Sequence, residues 1–208
     1  LSIGKYYNFS LEEVCMKYGK YGLVTDDVDK VCINNCKFTL CGLDGSSTSI
    51  TALFDTDYST KSAQDTGISS YVRTDKEGGA LYIKGNTSTD INIVNNDVIY
   101  CNGGYQLEDI VTGVVSNNRS ENTLKNGISL MSSTNNGANG CTNLVISDNY
   151  INNSGNHGLE CIGGIGNIFK NNVIKNSWAT GFKGDSIGQI TISNNHFEHN
   201  NHKRWNAL

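Results

Sequence analysis

Two acidic residues, Glu160 and Asp185, have a spacing that could make them the catalytic pair of a glycosidase. Glu160 precedes Lys183 by 23 residues, and Asp185 follows Lys183 by two. If 23 residues form one turn of a repeat, both carboxyl groups face the same way, about 8 Å apart. Inverting glycosidases hold their carboxyl groups about 6.5–9.5 Å apart. The spacing therefore predicts catalytic roles for Glu160, Asp185 and Lys183, with a surface ion pair between Glu160 and Lys183 as the alternative.

Four further residues are candidates for contact with a carbohydrate. Trp178 occupies a predicted turn, where its indole could form a platform for a sugar ring. Aromatic faces bury the C–H groups of sugars well. Tyr150 and Tyr105 could extend this platform, and His157 lies at the turn before Glu160. The alternative for Trp178 is an indole folded down over the turn.

A short histidine series near the end of the sequence could suggest a metal site. His196, His199 and His202 recur at every third residue, beside Glu198. Residues three apart on a strand point to opposite faces, so they cannot close around one ion. The sequence predicts neither a metal site nor a cofactor.

An asparagine recurring at a nearly fixed interval indicates how these residues are positioned. The series is Asn96, Asn118, Asn149, Asn172 and Asn195, and its last two intervals are both 23 residues. The longer interval before Asn149 contains an insertion of turn-forming residues at 132–140. A glycine followed by an apolar residue lies nine positions after three of these asparagines, at Gly127, Gly158 and Gly181. Such a period is typical of stacked supersecondary units.

Two repeat architectures fit a period of 23 with a recurring asparagine. Residues 144–151 also match a leucine-rich repeat, but those repeats continue with leucines on a helical segment. Here residues 152–164 are poor in leucine and are predicted to form another strand. The remaining architecture is an all-β, right-handed parallel β-helix in which the asparagines stack at an inward turn.

These asparagine- and glycine-rich repeats resemble the pectin-lyase-like superfamily, in particular the β-helices of phage tailspikes and polysaccharide depolymerases. The resemblance covers residues 90–200 and implies the fold and a carbohydrate ligand. The aspartates of polygalacturonase-like members are missing from the corresponding positions, and the sequence has no proline near an arginine base as in pectate-lyase-like members. No catalytic residue is therefore assigned from the superfamily.

The repeat predicts a single β-helix domain over residues 1–208, with four parts. Ser10 and Glu13 form a capping-box pattern, followed by apolar residues at helical spacing, which predicts a capping helix over residues 10–18. The first rungs are expected at 31–45, a loop excursion at 46–79 and regular rungs at 80–200. Long excursions from a compact stack often carry function.

Composition narrows the possible partners. The net charge of −4 with mixed signs argues against nucleic-acid binding. No apolar run approaches the roughly 20 residues that span a bilayer, and no signal-peptide pattern is present, so no membrane association is expected. Seven cysteines, an odd number, lie mostly in apolar alternation. They are predicted to be mostly free, buried thiols, which fits folding in a reducing cytosol.

The combined expectation is a protein that binds and degrades a polysaccharide or oligosaccharide. A phage tailspike or depolymerase of this kind would be extracellular or virion-associated and homotrimeric, and would act as a glycoside hydrolase or a lyase. The alternative is a non-catalytic structural or adhesin-type β-helix that binds carbohydrate by shape.

Overall fold

The computed structural model describes residues 1–4, 6–42, 78–86, 89–133 and 140–201. These ranges contain 21 β-strands and no helix. The strands form three sheets of seven, and every pairing between them is parallel. The predicted right-handed parallel β-helix is therefore confirmed.

Each turn of the β-helix, here called a rung, contributes one strand to each of sheets A, B and C. Sheet A contains β1 (Ser2–Ile3), β4 (Tyr21–Thr25), β7 (Gly79–Lys84), β10 (Tyr105–Glu108), β13 (Ile128–Met131), β16 (Leu159–Ile162) and β19 (Phe182–Asp185). Sheet B contains β2 (Tyr6–Glu12), β5 (Val28–Asn34), β8 (Asp90–Val94), β11 (Thr112–Ser116), β14 (Leu144–Ser147), β17 (Ile168–Lys170) and β20 (Thr191–Ser193). Sheet C contains β3 (Cys15–Lys17), β6 (Lys37–Thr39), β9 (Asp97–Ile99), β12 (Arg119–Thr123), β15 (Tyr150–Ser154), β18 (Val173–Lys175) and β21 (His196–Glu198).

Side chains alternate between the inside and the outside of the β-helix along each strand. In β10, Tyr105 and Leu107 are completely buried, whereas Gln106 and Glu108 are partly exposed. The inward residues of all three sheets form one continuous apolar core. Because the alternation has a period of two, register alone decides which side chains reach the outer face.

The predicted asparagine ladder stacks at the turn between sheets B and C. The backbone N–H of Asn118 donates to Oδ1 of Asn149 at 3.0 Å, and that of Asn149 donates to Oδ1 of Asn172 at 3.0 Å. The amide Nδ2 of Asn149 donates to the carbonyl of Val115 at 2.9 Å. The ladder thus provides partners for buried backbone groups at each corner, and leaving one such group unpaired costs about 1–3 kcal/mol.

Cysteine takes the place of asparagine on the second rung. The Sγ atom of Cys36 lies 3.3 Å from the carbonyl of Asn34 and 3.6 Å from that of Leu11. Asn96 makes the equivalent two contacts on the next rung with its amide nitrogen. All seven cysteines are free, as expected, and five of them are buried.

The predicted capping helix over residues 10–18 is wrong. Ser10 lies in β2, paired with Cys32 of β5, and Cys15 lies in β3, paired with Lys37. Between these strands Glu13 has a left-handed backbone with φ 54°, like Asn35 in the equivalent turn. The pairing offset of 22 residues makes this segment the first rung of the stack. Long-range strand pairing has therefore overridden the local helical pattern.

The sequence predicts two departures from the regular stack, one before the sheet A strand β7 and one after the sheet A strand β13. Most of the predicted excursion at 46–79 and of the insertion at 132–140 lies outside the described residues. The chain leaves the described part after Gly42, beyond the sheet C strand β6, and re-enters before β7. No helix in the described ranges is long and apolar enough to cross a membrane.

Candidate active site on the outer face of sheet A

Two adjacent columns of side chains on three successive rungs form the candidate site. The first column contains Ser129, Glu160 and Lys183, which are paired in register across β13, β16 and β19. This register confirms that Glu160 and Lys183 are neighbours on adjacent rungs, as the spacing of 23 residues predicts. The strand alternation places the three side chains outward, because their neighbours Leu130 and Cys161 are buried in the core.

The second column lies three positions earlier in each rung, at the turn from sheet C to sheet A. It contains Asn126, His157 and Thr180, each followed by a glycine. The stacking is fixed by the backbone, because the N–H of Gly158 donates to the carbonyl of Thr180 at 2.9 Å. A Cβ atom at Gly158 would clash with the side chain of Ile174, which explains the glycine at this position.

Glu160 is the centre of the cluster. Its Oε1 lies 2.9 Å from Nζ of Lys183, and its Oε2 accepts a hydrogen bond from Nδ2 of Asn126 at 2.5 Å. The same Asn126 amide lies 2.8 Å from the hydroxyl of Ser129. The Glu160 side chain is only 10% exposed. A carboxylate with so little contact with water needs partners of this kind.

His157 connects the two columns. Its Nδ1 lies 2.7 Å from Oγ1 of Thr180, and its Nε2 lies 4.0 Å from Oε1 of Glu160. Burial lowers the pKa of His157 below its usual value; the Glu160 carboxylate opposes this shift and Lys183 adds to it. The imidazole is therefore mainly neutral at pH 7 and can accept a proton.

Asp185 lies on the same outer face as Glu160. It pairs in register with Ile162, two residues beyond Glu160, so Asp185 and Glu160 occupy diagonal positions on neighbouring strands. Asp185 is exposed, and its Oδ1 accepts a hydrogen bond from the hydroxyl of Ser186 at 3.1 Å. The structure brings together the three residues that the sequence proposed as catalytic, and their catalytic roles stay a prediction.

The predicted aromatic platform does not form beside this cluster. Tyr105 is fully buried and donates from its hydroxyl to the carbonyl of Asn96 at 2.8 Å. The prediction of Tyr105 as a surface residue is therefore wrong, because it points into the core. Trp178 is 8% exposed, so its indole is folded into the turn, and Nε1 has no partner among the described residues. Tyr150 is 37% exposed but belongs to sheet C.

A different aromatic pair lies on the sheet A face. Tyr82 is in register with Gln106, which in turn pairs with Ser129, so Tyr82 extends the Glu160 column along the β-helix. Its ring stacks on that of Tyr21, with 5.8 Å between the centroids. The Tyr82 hydroxyl donates to Oε2 of Glu108 at 2.7 Å. The spacing of 23 does not reveal this pair, because Tyr21 and Tyr82 are 61 residues apart in the sequence.

Sequence reasoning also missed Thr180. A threonine in a polar turn carries no chemical signature of its own. Its position 23 residues after His157 and immediately before Gly181 was the signal that could have identified it.

Comparison of the chain with protein-family models, with curated proteins and with solved structures finds no match. The function must therefore be inferred from the site. Within the described residues, no group of three or more histidine, cysteine, aspartate or glutamate side chains could hold a metal ion.

Proposed function

We propose that this protein binds a polysaccharide along the outer face of sheet A and cleaves it at the Glu160 cluster. A column of five side chains, from Tyr82 through Gln106, Ser129 and Glu160 to Lys183, runs along this face. Neighbouring strands lie about 4.8 Å apart, so the column is about 19 Å long. An extended polar strip that begins at an aromatic pair suits a linear chain of sugars.

The observation that carries the proposal is the environment of Glu160. A nearly buried carboxylate, an imidazole and an ammonium group from two neighbouring rungs meet on one outer face. The Lys175–Glu198 pair on sheet C is also an ion pair between neighbouring rungs, but its side chains are 33% and 36% exposed. A histidine whose pKa is lowered by burial, beside a nearly buried carboxylate and an ammonium group, is an arrangement found at active sites.

Two cleavage reactions are compatible with these residues. Hydrolysis would use Glu160 and Asp185, one protonating the leaving oxygen and the other activating water. Elimination would need a base at a sugar C–H group and a cation such as Lys183 beside the developing negative charge. Hydrolysis gives a new reducing end without unsaturation, whereas elimination also gives an unsaturated sugar.

The resemblance of the repeats to pectin-lyase-like β-helices supports a carbohydrate ligand. We extend it to a tailspike or depolymerase type of protein that acts outside the cell or on a virion as a homotrimer. Binding without cleavage is the second candidate, favoured by the fact that both oxygens of Glu160 are already bonded to Lys183 and Asn126.

The test is incubation with capsular polysaccharides and pectin, followed by measurement of reducing ends and of unsaturated-product absorbance. Wild-type protein should release products, and Glu160→Gln and Asp185→Asn should each lower the rate about 100-fold or more. Glu198→Gln is the matched control, since it also removes the carboxylate of a cross-rung pair. Binding without products would overturn the enzymatic part, and absence of binding would overturn the proposal as a whole.

A further inference from the structure

We propose that Thr180, His157 and Glu160 form an acyl-transfer relay that removes ester-linked acyl groups from sugar hydroxyls. The three side chains lie in line, with the Thr180 hydroxyl on one imidazole nitrogen and the Glu160 carboxylate nearest the other. Only the choice of a carbohydrate ester rests on the proposed function; the ester chemistry rests on the geometry of the three residues.

The hydrogen bond between Thr180 and His157 has the geometry that nucleophilic catalysis requires. Oγ1 of Thr180 lies 2.7 Å from Nδ1 of His157, within the range of about 2.6–3.2 Å for a nucleophile and its base. When the imidazole proton is on Nε2, Nδ1 is free to accept the threonine proton. Nε2 then points its proton towards Oε1 of Glu160, which is 4.0 Å away. The carboxylate would stabilise the imidazolium that forms when His157 takes up this proton.

The exposure of the three residues and the charges around His157 are also compatible with nucleophilic catalysis. Thr180 lies at a partly exposed position, and the side chains of His157 and Glu160 beside it are 13% and 10% exposed. The lowered pKa of His157 keeps the imidazole neutral at pH 7. The charged groups near the ring are Glu160 and Lys183, whose effects on this pKa are opposite.

The reaction proceeds in two balanced steps. Oγ1 of Thr180 bonds to the ester carbonyl carbon, and its proton moves to Nδ1 of His157. The tetrahedral intermediate expels the sugar alkoxide, which takes the proton from His157 and leaves as an alcohol. Water then attacks the acyl-threonine, giving a proton to His157 that returns to Oγ1 as the carboxylic acid is released.

The first experiment measures steady-state hydrolysis of p-nitrophenyl acetate. Thr180→Ala and His157→Ala should each reduce turnover about 100-fold or more, whereas Thr180→Ser should retain it. Thr191→Ala, an exposed threonine of the same rung, should behave as wild type. Unchanged turnover in Thr180→Ala would overturn the relay.

Two further measurements separate the relay from a structural role. A fluorophosphonate should label Thr180, as located by mass spectrometry of peptides, and labelling elsewhere but not at Thr180 would contradict the proposal. Glu160 is a positioning residue in this relay, so Glu160→Gln should move the midpoint of the pH–rate profile to lower pH. The reason is that the carboxylate raises the pKa of His157; an unmoved midpoint would remove Glu160 from the relay.

Acetate release from chemically acetylated xylan distinguishes the two proposals. Release that depends on Thr180 supports both the relay and the carbohydrate assignment. Hydrolysis of p-nitrophenyl acetate through Thr180, together with no binding to any polysaccharide, would support the relay and overturn the proposed function. Polysaccharide cleavage that is unaffected by Thr180→Ala, with no ester hydrolysis, would overturn the relay and leave the proposed function standing.

Discussion

The ammonium group of Lys183 lies 2.9 Å from Oε1 of Glu160 on the neighbouring rung. The lysine side chain is 39% exposed, whereas that of Glu160 is 10% exposed. The carboxylate therefore depends on its protein partners, while the ammonium can be hydrated. This asymmetry distinguishes the pair from Lys175 and Glu198 on sheet C, where both side chains are about one-third exposed.

Removal of the two lysines should have unequal effects on stability. We expect Lys183→Met to lower the free energy of unfolding by about 1–2 kcal/mol, because Glu160 keeps only Asn126 as a close partner. Lys175→Met should leave the free energy of unfolding nearly unchanged, as is usual for an exposed pair. Urea denaturation of both variants measures the two losses. If Lys183→Met loses no more stability than Lys175→Met, Glu160 is hydrated when its lysine partner is removed.

Acid should destabilise the protein through His157. The folded pKa of this histidine is lowered by burial, so the unfolded chain binds its proton more tightly than the folded chain does. The stability that neutral His157 contributes is therefore fully present well above its pKa in the unfolded chain, about 6.5. This stability is lost as the pH falls through about 6.5 towards the pKa in the folded protein. Denaturation at a series of pH values should show this slope in wild type.

A histidine variant tests the assignment of that slope. His157→Gln should flatten the dependence of the unfolding free energy on pH below about 7. An NMR titration of the imidazole signals gives an independent measurement. A midpoint for His157 above that of a histidine in an unfolded peptide would contradict the direction of the shift.

The repeat could be predicted where its marker residue is present. From Asn96 onward the spacing identified the rungs and the ladder, because an asparagine amide bonds buried backbone groups at the turn between sheets B and C of each of these rungs. The first two rungs have Val14 and Cys36 at this position, so the marker is missing. Without this marker, the helical spacing of apolar residues around Leu11 led to the wrong prediction of a helix. In the structure, Leu11 pairs in register with Ile33 of β5.

The site could be predicted only in part. The column of Ser129, Glu160 and Lys183 follows from the repeat, because a constant offset fixes which side chains share a face. Tyr105 was wrongly placed outside, since one residue along a strand decides between core and surface. Thr180 could not be found by residue type, because its possible chemistry depends on its 2.7 Å contact with His157.

Glu13 offers a direct test of the first rung. Its φ of 54° lies in the left-handed region, which asparagine tolerates better than glutamate does. Glu13→Asn should therefore raise the free energy of unfolding by about 0.5–1 kcal/mol. Lys17→Asn, on the exposed side of β3, should give no gain, because asparagine is unfavourable in strands. A loss of stability in Glu13→Asn would argue against this turn.

Asparagine should be able to replace Cys36, because Cys36 occupies the position that asparagine holds on the later rungs. Its thiol contacts the carbonyls of Leu11 and Asn34, the positions that the Asn96 amide contacts one rung later, but a thiol is a weak donor. We expect Cys36→Asn to extend the ladder and raise the free energy of unfolding by about 1 kcal/mol. Cys15→Asn, at an exposed position, should show no such gain. Thermal and urea denaturation measure both, and a less stable Cys36→Asn would mean that this corner is sized for sulfur and cannot hold the larger amide.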